Sequence, residues 1–159
     1  MNVLFLCTGN SCRSLMGEAT FNHLAPKGWH AISAGSKPLG RLNSGALALL
    51  EQQGISTEGY FSKSWNDLPV TPDIVLSVCG NAANETCPAY LGPVIHSHWG
   101  VEDPAHAEGS EDEIKAAFIT AYKILRHRIE HFLALPLFEL KNDPAKLKAE
   151  LDRIGTLVP

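Results

Sequence analysis

Cys7 closes the apolar run VLFLC, and Arg13 arrives six positions later across the small polar segment TGNSC, with Ser14 directly after it. Gly9 and Asn10 tolerate left-handed backbone geometry, so the amide N–H groups of Thr8, Gly9, Asn10, Ser11 and Cys12 can turn inward as a nest for an anion. A helix that begins here adds the positive end of its dipole. The planar guanidinium of Arg13 can grip two oxygens of a tetrahedral anion. These positive features favour a thiolate, so Cys7 is expected to be a nucleophile beneath the bound anion. Ser14 can hydrogen-bond the sulfur and aim it. A buried strand-end cysteine followed by an ordinary capping turn is the plainer alternative. A cysteine and an arginine at this interval occur together by chance, whereas strand, glycine, serine and helix in this order do not.

The remaining thiols are Cys12, Cys79 and Cys87, and an Asp103-Pro104 pair follows the sequence HWGVE. A structural disulfide framework does not fit a chain expected to work among reduced thiols. Zinc is the rival explanation, but seven residues separate Cys79 from Cys87, more than paired structural ligands usually allow. His96 and His98 share one face of a strand by alternation, without a further ligand at a recognisable spacing, so no metal is expected.

These groups can meet only if the chain brings distant segments to one place. Residues 2–6 read as a strand buried on both faces, and Ser14 to Leu24 as a helix. HAISAGS is a second strand ending at Gly35. A helix over 43–53 has Asn43 as its N-cap and Gly54 as its stop. Strands are expected over 73–79 and 93–99. A long helix starts at SEDE, where Ser110 and Glu113 have capping-box spacing, and runs to about Leu135. In the last helix Asp143 caps, Pro144 takes the first position and Gly155 closes, with Leu147, Leu151 and Ile154 on one packing face. Strands alternating with helices predict an α/β fold, an open four-stranded parallel sheet with helices on both faces. Ligands bind such sheets beyond the carboxyl ends of the strands. The Cys7 loop, Cys79 and the Asp103 loop all lie at that edge.

Bulk composition sets the limits. The chain has 159 residues, 45% hydrophobic and 19% charged, consistent with a single domain over 1–159. Its net charge is −4 and its cations are scattered, so a nucleic-acid partner is not expected. Glu130 interrupts the short basic stretch around Arg126 and Arg128, which reads as a solvated helix face. No apolar run approaches the roughly 20 residues of a membrane span, and no basic leader precedes the first strand, so the expected location is cytoplasmic. Trp29, Trp65 and Trp99 are expected to pack in the core.

With these residues in view, the chain resembles the low-molecular-weight phosphatase family, whose C-x5-R-[ST] loop follows the first strand. Cys7, Arg13 and Ser14 match that loop, and Asp103-Pro104 matches the family's Asp-Pro. The resemblance implies that Cys7 attacks while Asp103 protonates the leaving oxygen. Tyrosine phosphatases of this fold usually carry an aromatic residue directly after the Asp-Pro; here Ala105 and His106 follow, which suits a bare inorganic anion.

The stretch CGNAANETCPAYLGPVIHSHWGVEDPA is similar to the corresponding part of arsenate reductases built on this fold. That likeness implies a triad of redox cysteines, Cys7, Cys79 and Cys87. Arsenate would add to Cys7. Cys79 would then attack the Cys7 sulfur, expelling arsenite, and Cys87 would move the disulfide to Cys79–Cys87 for an external reductant. Phosphate or sulfate fits the same loop but cannot accept the electrons. No bound cofactor is implied, only a thiol reductant: thioredoxin, favoured by the internal cysteine pair, or glutathione with glutaredoxin. A phosphatase with redox-regulated thiols and a non-catalytic oxyanion sensor are the competing functions. Cys12 is read as a structural thiol. Some relatives bind potassium with positions matching Asn10, Glu18, Ser33 and Ser62. The acidic residue that follows in them is missing here, where Lys63 and Ser64 stand instead. Lys63 either replaces the cation or points to solvent, and Glu18 is expected to steady Asn10 or the loop.

Overall fold

The central strand is apolar without interruption because both of its faces are covered. The computed structural model describes residues 1–79 and 93–159. Its first strand, β1 (Asn2–Cys7), pairs in parallel with β2 (His30–Gly35) on one side and β3 (Ile74–Ser77) on the other, and β4 (Ile95–His98) completes the order β2-β1-β3-β4. The expected four-stranded parallel sheet is present. Strands β3 and β4 are each shorter than the sequence suggests, because pairing stops at Ser77 and His98.

Alternation along β1 sends Val3, Phe5 and Cys7 into the larger core cluster and Leu4 and Leu6 into a smaller one. The helices α1 (Arg13–Leu24), α2 (Ser44–Gln52), α3 (Glu111–Leu133), α4 (Leu137–Leu140) and α5 (Pro144–Ile154) all deliver buried residues to the larger cluster. Among the described residues, Trp65, Leu68 and Val94 close over the smaller one. Edge-to-face aromatic contacts join Phe5 to Phe21 and Trp99, and Phe132 to Phe21, Trp29 and Trp99. The indole of Trp99 is satisfied by donating to the Leu151 carbonyl at 3.0 Å.

The helix caps read from the sequence are realised. Asn43 accepts from the Gly45 and Ala46 amides, Ser110 and Glu113 form a capping box, and Asp143 caps α5 with Pro144 following. Helix α4 and the short turns at 65–67 and 104–106 carry too little periodicity to be foreseen. One expectation needs correction: Arg128 is not on a solvated face. It is buried, donating Nε to the Leu157 carbonyl at 3.0 Å and Nη1 to the Gly100 carbonyl at 3.2 Å. Its charge ties the chain's end to the segment leading into Asp103, and burial lowers its pKa.

His96 and His98 do share a face of β4, as alternation requires. Both imidazoles meet the Ser77 hydroxyl of the neighbouring strand, at 3.4 and 2.9 Å.

Candidate active site

A cleft of about 1000 Å³ opens at the carboxyl edge of the sheet. Its floor is the loop from Cys7 to Arg13, and Asp103, Ala105 and His106 form one wall. The loop forms because β1 ends in the core while α1 starts one short turn later, forcing the intervening backbone to double back. Asn10 takes the left-handed conformation this requires, at φ 45°. Gly9 does not. Its missing side chain instead makes room for Leu39, whose Cγ would stand 3.3 Å from a Cβ there. Gly35 at the end of β2 has a stricter role: a Cβ would collide with the Thr8 carbonyl. The Lys37, Leu39 and Asn43 amides donate to the carbonyls of Thr8, Gly9 and Ser11 at 3.0, 3.0 and 2.8 Å, clamping the loop from outside. Those carbonyls therefore point away from the cup.

Cys7 is 3% exposed, and its sulfur receives the Asn10 amide at 3.3 Å and faces the Ser14 hydroxyl at 3.1 Å. Asn10 organises this pair. Its Oδ1 accepts from the Lys63 amide at 2.8 Å, so its Nδ2 is the end that donates to Ser14 and to Ser33, each at 2.9 Å. Ser33 in turn donates to Glu18 at 2.6 Å. Since Ser14 Oγ accepts from Asn10, its own proton is left to donate to the Cys7 sulfur. Glu18 is buried, and desolvation raises its pKa against the opposing pull of the Ser33 hydroxyl and the Lys63 charge.

Arg13 is nearly buried, with Nη1 donating to the Val101 carbonyl at 3.0 Å and Nη2 3.5 Å from Asp103 Oδ2. Asp103 also accepts from the Ala105 amide at 3.0 Å and stands 3.5 Å from His106 Nε2. Cys12 lies in the cleft floor but is 4% exposed. Burial first, and then the Asp103 charge, push its pKa upward, so it stays a neutral thiol.

Cys79 is fully buried two residues past Ser77, in the same cluster as Cys7. Leu6 opposes Ser77 in the ladder, and Val78 donates to the Leu6 carbonyl at 2.9 Å, so the chain reaches Cys79 alongside the start of the anion loop. Cys87 lies outside the described residues. Sequence reasoning missed Lys37, Leu39 and Arg41, which line the mouth. No motif marks them, since they belong to an irregular segment. Trp65, expected only in the core, both covers the smaller cluster and lines the cleft.

A buried cysteine whose sulfur receives the Asn10 amide and faces the Ser14 hydroxyl, with an arginine–aspartate pair lining the same cleft, is an arrangement that can bind an oxyanion over a thiol on an open parallel sheet. The profile described as low molecular weight phosphotyrosine protein phosphatase matches residues 2–150, and the chain belongs to this family. Among curated relatives, the arsenate reductase of Bacillus licheniformis is 39% identical over 132 residues, 82% of this chain and 93% of that protein. That of Bacillus subtilis is 36% identical over 131 residues, with the same shares covered. Among solved structures, the arsenate reductase of Archaeoglobus fulgidus superposes with a TM-score of 0.65 at 25% identity, covering 80% of this chain and 98% of that one. An arsenate reductase in the phosphate binding state gives 0.64 at 26%, covering 84% and 96%.

Proposed function

We propose that the protein reduces arsenate to arsenite, in the cytoplasm, at the Cys7 cup. The observation that carries this reading is a second cysteine, Cys79, disulfide-bonded in this structure and carried by the β1–β3 pairing to the same end of the sheet as Cys7. A hydrolase has no use for it. The similarity to curated arsenate reductases supports the choice of arsenic over phosphorus.

Loop amides and Arg13 hold the oxyanion. The Cys7 sulfur attacks arsenic, and an As–O bond breaks as Asp103 supplies the proton that lets oxygen leave as water. Arsenic is still at oxidation state +5. Cys79 sulfur then attacks Cys7 sulfur; the S–As bonding pair stays with arsenic, which departs as arsenite at +3, leaving a Cys7–Cys79 disulfide. Cys87 attacks Cys79, releasing Cys7 as thiolate, and an external dithiol, thioredoxin in the favoured version, takes up the oxidising equivalents from Cys79–Cys87. Glutathione with glutaredoxin is the other candidate reductant.

The test is arsenate-dependent NADPH oxidation with thioredoxin and thioredoxin reductase, or with the glutaredoxin system, for wild type, Cys79→Ser and Cys87→Ser. Wild type turns over and both variants lose turnover. No turnover with either system, or full activity in both variants, rejects the reading. Trp65 and Leu39 at the mouth of a cleft much larger than a tetrahedral ion favour a second reading, an aryl phosphate phosphatase. Hydrolysis of p-nitrophenyl phosphate that survives both substitutions, without arsenate turnover, selects it.

A further inference from the structure

Arg128 is 5% exposed, and among the described residues no carboxylate pairs with its guanidinium. A buried cation without a counter-ion is costly, and only its hydrogen bonds can offset that cost. Those bonds run to two main-chain oxygens from separate segments. The Gly100 carbonyl after β4 accepts at 3.2 Å and the Leu157 carbonyl after α5 at 3.0 Å. A planar, rigid fork of donors can hold two such acceptors at a fixed separation.

The stretch that Arg128 bridges leads directly into Asp103. The end of α5 lies close against it: Trp99 donates Nε1 to the Leu151 carbonyl at 3.0 Å, and a Cβ on Gly155 would stand 2.8 Å from the His98 carbonyl. Toward β3, the Trp99 amide donates to Ser77 at 2.7 Å, but the Val101 amide reaches Val78 only at 3.3 Å. Pairing with the sheet is therefore weakening as the chain leaves it. Between these two bonds, Arg128 is the donor to the Gly100 carbonyl among the described residues. On the cleft side, Arg13 donates to the Val101 carbonyl at 3.0 Å and stands 3.5 Å from Asp103. The anion loop has different supports, the Lys37, Leu39 and Asn43 amides.

We propose that Arg128 is a positioning residue for the proton donor: by bridging the Gly100 and Leu157 carbonyls it fixes the segment from which Asp103 enters the cleft. The inference rests on the reading of Asp103 as the acid, whichever oxyanion is the substrate. An arginine that served stability alone would act equally with and without the Asp103 carboxyl. A positioning residue acts only while that carboxyl is there to be placed.

The experiment is a double-mutant cycle on single-turnover arsenite formation, with Arg128→Met, Asp103→Asn and the two combined. Arg128→Met should slow the step by about 10- to 100-fold, the scale of a reacting group misplaced by about 1 Å. Sulfate affinity, from isothermal titration calorimetry, should be retained. In the Asp103→Asn background the same substitution should cost no more than about twofold, the ordinary departure from additivity. An equal loss in both backgrounds, a wild-type rate in Arg128→Met, or loss of its sulfate binding overturns the proposal. Amide exchange followed by NMR gives a readout that needs no substrate. The Val101 amide should exchange about 5-fold faster or more in Arg128→Met relative to the Asn43 amide beside the cup, the scale of one hydrogen bond lost. Equal changes at both amides also overturn the proposal. If Arg128→Met does not fold by circular dichroism, Arg128→Lys, which keeps the charge but lacks the two-pronged fork, is put through the same cycle and decides. If wild type forms no arsenite, the proposed function fails, and amide exchange decides this inference alone.

Discussion

Arg13 Nη2 stands 3.5 Å from Asp103 Oδ2, so the residue proposed to grip the anion also holds the residue proposed as acid. The pair joins the first loop of the sheet to the loop after its last strand. An anion entering the cup would compete with Asp103 for the guanidinium.

Asp103→Asn removes that proton and should lower the rate of arsenite formation in a single turnover by about 10²- to 10⁴-fold, the usual span for a general acid. Affinity for sulfate or phosphate, measured by isothermal titration calorimetry, should be kept or increased, because Arg13 loses its internal competitor. Loss of anion binding would mean that Asp103 is needed to build the cup.

Ser14→Ala should slow Cys7 alkylation and arsenate turnover by about 10- to 100-fold, since a hydrogen bond to a charged acceptor is worth about 1.5–3 kcal/mol. Thermal stability should change little by comparison, and the ratio of the two effects is the measurement. An equal loss in both would mark Ser14 as structural.

Cys12→Ala should keep turnover within about threefold of wild type while losing about 1 kcal/mol of stability to the vacated volume, read by urea denaturation. The raised pKa of Cys12 keeps it protonated, so it cannot compete with Cys79 for the Cys7 sulfur. A collapse of turnover with normal folding would assign it a redox role.

Glu18 carries a pH signature. Its folded pKa is raised, so folding favours its protonated form: its contribution to stability is fullest below the unfolded carboxylate pKa and is lost as pH rises through the folded value. Glu18→Gln is free of this term. Its stability relative to wild type, from urea denaturation across a pH series, should therefore become more favourable as pH rises above the ordinary carboxylate range. A difference independent of pH rejects the assignment.

Gly35→Ala drives a methyl into the Thr8 carbonyl, which cannot yield because the Lys37 amide holds it at 3.0 Å. The expected result is a loss of about 2–4 kcal/mol in denaturation together with reduced anion binding. Normal binding in a folded variant would show that the loop tolerates displacement.

The placement of Cys7, Arg13, Ser14 and the Asp-Pro was legible in the sequence because each is bound to a local pattern. Cys7 must follow an apolar strand, Arg13 must open a helix, and a proline must stiffen the acid's turn. Strand order and caps were legible for the same reason: alternation and capping are short-range constraints. The parts that escaped depend on contacts between segments without periodicity. Nothing local distinguishes a solvated Arg128 from one that donates to Leu157 and Gly100, or marks Lys37, Leu39 and Arg41 as the cleft mouth.

By itself, the sequence determined that Cys7 would end a strand and meet a polar loop at the carboxyl edge of a parallel sheet. Only the tertiary structure decided which way its hydrogen bonds point. That direction depends on Lys63 arriving from fifty-three residues away to take the Asn10 oxygen, leaving the Asn10 amide group to face Ser14 and Ser33. An asparagine presents donor and acceptor symmetrically to its own neighbours in sequence, and a partner from elsewhere in the fold breaks that symmetry.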